Sequence, residues 1–524
     1  MELYFGGQIY TMLHEGEKVE AVLVHNGEIM RTGTYQALQH EASTFHNLRG
    51  KTMIPGLVDS HIHLIGYGEK LSRVQLGNAK SKEEIIKLLI KEQKNLSPNE
   101  WLIAEGWSEF NLEGKQMLSL QELDVITTNP TILHRVCHHV LLANSAALKL
   151  ANITSETLNP SGGAIGRDSN GLPNGYFYDE ATQLINNLID TESLVYKQHL
   201  VQSMNAAIKQ LHTYGVVGAH TEDCSYYGHY SNVLQAYQET IGQKKHFRTH
   251  LLRHHKVFEE MLHDQPKETD GFIEFGAMKI FADGSFGGST AALLAPYKYE
   301  GTNCGLFIHT QEQFESYVKM ARSYNEAIAV HMIGDAAAEL VVSMIEKYPT
   351  PKGKRDRLIH ACLLNEQLLE RMRKLPQIIM DIQPAFVPSD YPWIEQKLGV
   401  ERMRYAYAWK TLKEFHPAIG TDAPIEDVNP FKTIEAAVNR HKYGSRIDNE
   451  QLSVFEAVKM YTHGSAYAVN KEMERGFIAP HYVADFTILK QNIFECSPDE
   501  IERIQVCQTI VDGKVVYDAE IQQG

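Results

Sequence analysis

From about residue 53 to residue 469, apolar strand-like runs alternate with helical patterns, and this alternation restricts the fold more than any other feature. It implies parallel strands joined by crossover helices. The runs are TMIPGLVDSHIH, GVVGAHTED, FRTHLLR, FGAMKIFADG, AIAVHM, DRLIHA, IIMDIQP and HPAIGTDAP. Eight such strands predict an α/β fold of the (β/α)8 barrel type, with functional groups at the strand C-termini.

The chain has 524 residues, more than one ordinary core accommodates, so satellite structure is expected around the barrel. About 140 residues separate the first two barrel strands, far more than a loop needs, and an inserted subdomain is expected at about 68–205. It contains strand-like runs of its own, WLIAEGW and TILHRVCHHV. Residues 1–52 and 470–524 read as short strands with Asn26-Gly27 and Asp512-Gly513 as hairpin turns. They predict one small β-sandwich domain built from both termini.

Composition excludes several classes. At 43% hydrophobic and 22% charged residues the chain is globular, and its net charge of −15 argues against non-specific nucleic-acid binding. No run approaches a membrane span, and the N-terminus lacks the pattern of a signal peptide. The six cysteines are scattered without a CxxC pair, as in a reducing compartment. A cytoplasmic location and a small-molecule substrate are the expectations.

Chemistry concentrates at the strand ends. The first run ends in His61-Ile62-His63, whose imidazoles lie on one side of a strand and can share an ion. Alone, such a pair is as readily two hydrogen-bonded histidines. The fifth run, however, ends at His331, the sixth at His360 and the eighth at Asp422. Packing does not explain such residues at equivalent strand ends, so a metal site is expected there. Lys279 lies among apolar neighbours in the fourth run. A desolvated lysine has a lowered pKa, and its neutral amine can take up carbon dioxide as a carbamate; the alternative is a cation paired with Asp283 or a ligand phosphate.

Other candidates are His139, Trp107, His220 and Tyr297 as substrate contacts. Each is equally readable as a core residue. Asp335 is a candidate to orient a ligand histidine. His254 and His255 are expected on a solvated loop. The glycine-rich run from Asp283 to Gly288 lacks the GK[ST] ending of a phosphate loop, so it reads as a close-approach loop near the metals.

This residue set resembles the amidohydrolase superfamily, and more narrowly its family 3 group, which includes N-substituted formamide deformylases. The matching segments are MIPGLVDSHIHL, MKIFADGSFGGSTAAL, HMIGDAAAE, RLIHA and IGTDAP, together with GGAIGRDSNGLPNG and HHVLLANSAAL in the insertion. One departure is HMIGDAAA, where a basic residue is expected directly after Asp335.

The resemblance implies a distorted TIM barrel with the β-sandwich of both termini, and is compatible with a homodimer. It implies that His61, His63 and Asp422 hold one zinc ion, that His331 and His360 hold a second, and that carbamylated Lys279 bridges them. Manganese, iron or nickel could substitute. It further implies hydrolysis of a non-peptide amide by a metal-activated hydroxide, with Asp422 as the catalytic base and then acid. A mononuclear deaminase on the same barrel is the alternative. It would need an acid on the sixth strand, where this chain has His360-Ala361-Cys362-Leu363. A silent binding protein on a hydrolase scaffold is the third reading.

Overall fold

The computed structural model describes residues 1–521 apart from 116–117, 136–139, 161, 243, 270 and 444–449. The described chain divides into two units, Gly68–Ala206 and the remainder.

The larger unit holds the barrel. Its strands are Leu57–Ile62, Val216–Thr221, Arg248–His254, Ile273–Phe281, Ile328–Met332, Asp356–His360, Ile378–Ile382 and Ala418–Ile419. All lie parallel to their neighbours, in chain order around one sheet. Beyond the short eighth strand, the Asp422 N–H donates to the His61 carbonyl at 2.7 Å and the His63 N–H to the Ala423 carbonyl at 2.9 Å. Asp59 adds a side-chain link across the same seam, accepting from the Thr421 N–H at 3.1 Å and the Thr421 hydroxyl at 2.6 Å. The first and eighth strands are thus joined at the end where the candidate ligands sit.

The run TMIPGLVDSHIH is split between two sheets. Thr52–Pro55 pairs with Phe486–Leu489 and Glu2–Tyr10 in the terminal sheet, whereas Leu57–Ile62 enters the barrel. Gly56 lies at the break, where a Cβ would come within 2.5 Å of the Val217 side chain.

The terminal sheet has eight strands drawn from both chain ends. One face packs Ile9, Val22, Val24, Met53, Phe486 and Ile510, and the other packs Leu3, Ala21, Leu23 and Leu38. Its two tight hairpins turn at Asn26-Gly27 (φ 50° and 79°) and Asp512-Gly513 (φ 55° and 72°). Positive φ at both central residues matches the twist of the flanking strands.

The unit Gly68–Ala206 carries a six-stranded sheet with an apolar cluster built around Ile85, Leu89, Leu102, Trp107 and Leu133, and another around Ile132, Leu141, Phe177 and Ile185. Ser119 caps its helix Leu120–Ile126 in a reciprocal capping box with Glu122. Among the described residues no helix is long and apolar enough to cross a membrane.

Candidate metal centre

His61, His360 and Asp422 place their ligand atoms within 4.8 Å of one another, all buried. The Nε2 atoms of His61 and His63 each lie 3.5 Å from Asp422 Oδ1. A tetrahedral ion with bonds of about 2.0–2.1 Å sets its ligands about 3.4 Å apart. The spacing therefore suits a shared cation and is too long for direct hydrogen bonds. The His360 ring lies 5.4 Å from that of His61 and 4.6 Å from that of His331. Lys279, fully buried, brings Nζ to 3.4 Å from His61 Nε2. The arrangement is a candidate site for a divalent metal.

Three of the rings have their outward nitrogen committed. His63 Nδ1 donates to the Glu222 carbonyl at 2.9 Å, His331 Nε2 to the Gly284 carbonyl at 3.0 Å, and His360 Nδ1 to Gln383 Oε1 at 2.7 Å. A carbonyl oxygen only accepts, so the nitrogen facing it carries the hydrogen and the other nitrogen keeps its lone pair. That lone pair is what a metal needs, and such outer partners fix ring and tautomer together. Asp422 Oδ1 is buried with no hydrogen-bond partner, an orphaned carboxylate oxygen that a cation would satisfy. His360, Ala361 and Asp422 also have left-handed backbone, at φ 74°, 46° and 59°. Such conformations cost on the order of 1–3 kcal/mol each and gather at functional sites.

Electrostatics favour the ligand forms. Burial, then the nearby Lys279, hold His61 well below the usual histidine range; burial and His360 do the same for His331. Burial brings His360 down to about 4. Burial also opposes charge on His63, but the Asp422 carboxylate overrides it and raises the ring to about 9. A bound cation would replace that proton. Burial lowers Lys279 to about 8, against the pull of Glu222 and Asp422, so a neutral amine is accessible near neutral pH.

The other described candidates have partners of their own. Trp107 is 2% exposed in the apolar cluster of its unit and donates its indole N–H to the Leu133 carbonyl at 3.2 Å. Tyr297 is buried and donates to the Ala291 carbonyl at 2.9 Å. His220 accepts on Nδ1 from Arg357 at 3.2 Å. His139 lies outside the described residues. Asp335 accepts from the Leu294 N–H at 2.9 Å. The carboxylate beside His331 is instead Asp283, whose Oδ1 lies 3.7 Å from Nε2 and whose oxygens take the N–H groups of Ala292, Ile333 and Gly334.

His254 and His255 are buried, not on a solvated loop. The third strand runs on to His254, and the His255 N–H donates to the Lys279 carbonyl at 3.0 Å. The glycine-rich run folds on itself. Ser285 N–H donates to Thr290 Oγ1 at 3.0 Å, and a Cβ on Gly284 would meet that oxygen at 2.2 Å. This close approach accompanies the Gly284 carbonyl that receives His331.

Sequence reading missed Gln383, Glu222, Asp59 and Asp283 as supporting groups. Gln383 and Glu222 follow strand ends, which is the signal that could have marked them.

Comparison with known proteins gives the same reading. YtcJ of Bacillus subtilis (strain 168) is 42% identical over 98% of this chain and 99% of its own length. The N-substituted formamide deformylase of Arthrobacter pascens is 24% identical over 95% of each chain. The crystal structure of an uncharacterized metal-dependent hydrolase from Pyrococcus horikoshii OT3 superposes with a TM-score of 0.80 at 25% identity, over 95% of this chain and 99% of that one. The model of the amidohydrolase family matches residues 44–517, and with the barrel and its ligand-bearing strand ends in place, the chain belongs to the amidohydrolase family, in its family 3 group.

Proposed function

We propose that this protein hydrolyses a non-peptide carbon–nitrogen bond, with an N-substituted formamide or other N-acyl amine as substrate. The observation that carries the reading is that His61 Nε2 and His63 Nε2 each lie 3.5 Å from the orphaned Asp422 Oδ1, with His360 in the same ligand group as His61 and Asp422. Similarity to a formamide deformylase supports the substrate class.

His61, His63 and Asp422 would hold one divalent cation, His331 and His360 a second. Lys279, as a carbamate formed from its neutral amine and carbon dioxide with release of a proton, would lie between them. Imidazole and carboxylate donors suit zinc first. When bound, such cations supply Lewis acidity, which lowers the pKa of a water molecule and polarises a carbonyl oxygen. Asp422 accepts a proton from the attacking water and returns it to the leaving nitrogen. Water and amide are thereby converted into carboxylic acid and amine. The Glu222, Gly284 and Gln383 oxygens keep three ligand rings in place throughout.

The test is metal content per chain by plasma mass spectrometry, on protein expressed with zinc and bicarbonate, alongside turnover of N-formyl and N-acyl amines. About two metals in wild type, falling in Lys279→Ala, are expected with amide cleavage. One metal, unchanged in Lys279→Ala, would overturn the bridge.

A further inference from the structure

Glu222 follows the second barrel strand and is fully buried. Its carbonyl receives His63 Nδ1, and its carboxylate is the strongest charged neighbour of Lys279. One carboxylate oxygen, Oε1, has no hydrogen-bond partner; the other, Oε2, accepts from the Tyr226 hydroxyl at 2.6 Å. Tyr226 is 46% exposed. Its ring stands edge-on to His63 and to His254, with both centroids at 5.9 Å. The phenol oxygen is thus fixed at the rim of the metal centre, one hydrogen bond from a carboxylate that flanks two candidate ligands.

The direction of that bond sets what the phenol can recognise. A hydroxyl has one hydrogen and spare lone pairs. With the hydrogen given to Glu222, the oxygen can offer only an acceptor to an incoming molecule. An acceptor beside the scissile carbon meets a donor in R–CO–NH–R′ and meets none in an ester or an N,N-disubstituted amide. Unpaired polar groups in a partly desolvated site discriminate strongly between such isosteres.

We propose that Tyr226, held by Glu222, is a substrate-contacting residue that accepts the N–H of the scissile amide and selects secondary amides over esters and tertiary amides. The inference rests on the amide-hydrolase reading above. Tyr226 contacts substrate; Glu222 is a positioning residue that fixes the polarity of the phenol.

The experiment compares wild type with Tyr226→Phe on matched compounds differing only in N–H against O. Steady-state kinetics on an amide and its ester give one ratio of kcat/KM. Calorimetric Kd values of the metal-loaded protein for a phosphonamidate and the corresponding phosphonate give a second ratio, independent of turnover. Ratios taken within each variant cancel any general damage from removing the phenol oxygen. One lost hydrogen bond is expected to lower both ratios about ten-fold. Ratios unchanged by Tyr226→Phe, with the amide still cleaved, would overturn the Tyr226 contact and leave amide hydrolysis standing. Wild type that neither cleaves the amide nor binds either inhibitor would overturn the amide reading and this inference with it.

Discussion

Charged groups in the barrel fall into two sets that are used in opposite ways. In the first, arginines pair with carboxylates. Arg357 gives Nε to Asp381 at 2.7 Å and Nη2 to the Ser60 carbonyl at 2.7 Å and to His220. Arg248 grips Asp485 through two bonds of 2.6 and 3.0 Å, and Arg475 grips Glu274 at 2.7 and 3.2 Å. In the second, His61 Nε2 and His63 Nε2 each stop 3.5 Å short of Asp422 Oδ1. Carbonyl oxygens accept from the outward nitrogens of His63, His331 and His360. Residue type therefore does not distinguish a structural from a chemical cluster; what marks the second is imidazole nitrogens facing an unpartnered carboxylate oxygen.

This contrast can be broken from either side. The largest expected effect is in the open set. Asp422→Asn removes a ligand charge and the proton carrier together, and turnover should fall about a thousand-fold or more with loss of bound metal. Its thermal midpoint, measured without metal, should stay close to wild type. In the paired set the outcome reverses. Arg357→Met strands Asp381 as a buried, uncompensated charge and should cost about 3–5 kcal/mol of stability. Thermal unfolding would show this, and adding Asp381→Leu should recover most of it; no recovery would mean that the pair does not act as a unit.

A smaller effect belongs to the support of one ring. Gln383→Ala frees His360 Nδ1 and should weaken metal affinity about 10–100-fold, read by chelator competition, with little change in stability. The smallest concerns Lys279 in metal-free protein. Its folded pKa, about 8, lies below the 10.5 of the free side chain. Between those values the unfolded chain retains a proton that the folded chain has released, so stability rises with pH across that window. Chemical denaturation at several pH values should show the rise, and Lys279→Met should flatten it.

Much of this was legible in the sequence because strand periodicity and chain order are local properties. Each of the barrel runs overlaps one of the observed barrel strands, since an apolar run bounded by turn residues has few other uses in an alternating α/β chain. The hairpins at Asn26-Gly27 and Asp512-Gly513 were equally legible, because their positive φ values depend on the residues themselves. The strand-end histidines and Asp422 announced themselves by position. His254, His255 and Trp107 did not: nothing in HLLRHHK or EGW tells a buried ring from one at a loop or in a pocket. Asp335 and Asp283 illustrate the same limit, because two aspartates that follow adjacent strands are equivalent until the loops are placed.

The sequence by itself determined the barrel, the shared sheet of the two termini and the set of ligand-bearing strand ends, because all three follow from hydrophobic period, turn chemistry and order along the chain. Only the tertiary structure decided which nitrogen of the His63, His331 and His360 rings is free, that Gln383 and the Glu222 and Gly284 carbonyls hold those rings, and that Glu222 turns Tyr226 into an acceptor. Hydrogen-bond direction is set between residues far apart in sequence (His63 and Glu222 are 159 positions apart), and no local pattern encodes it.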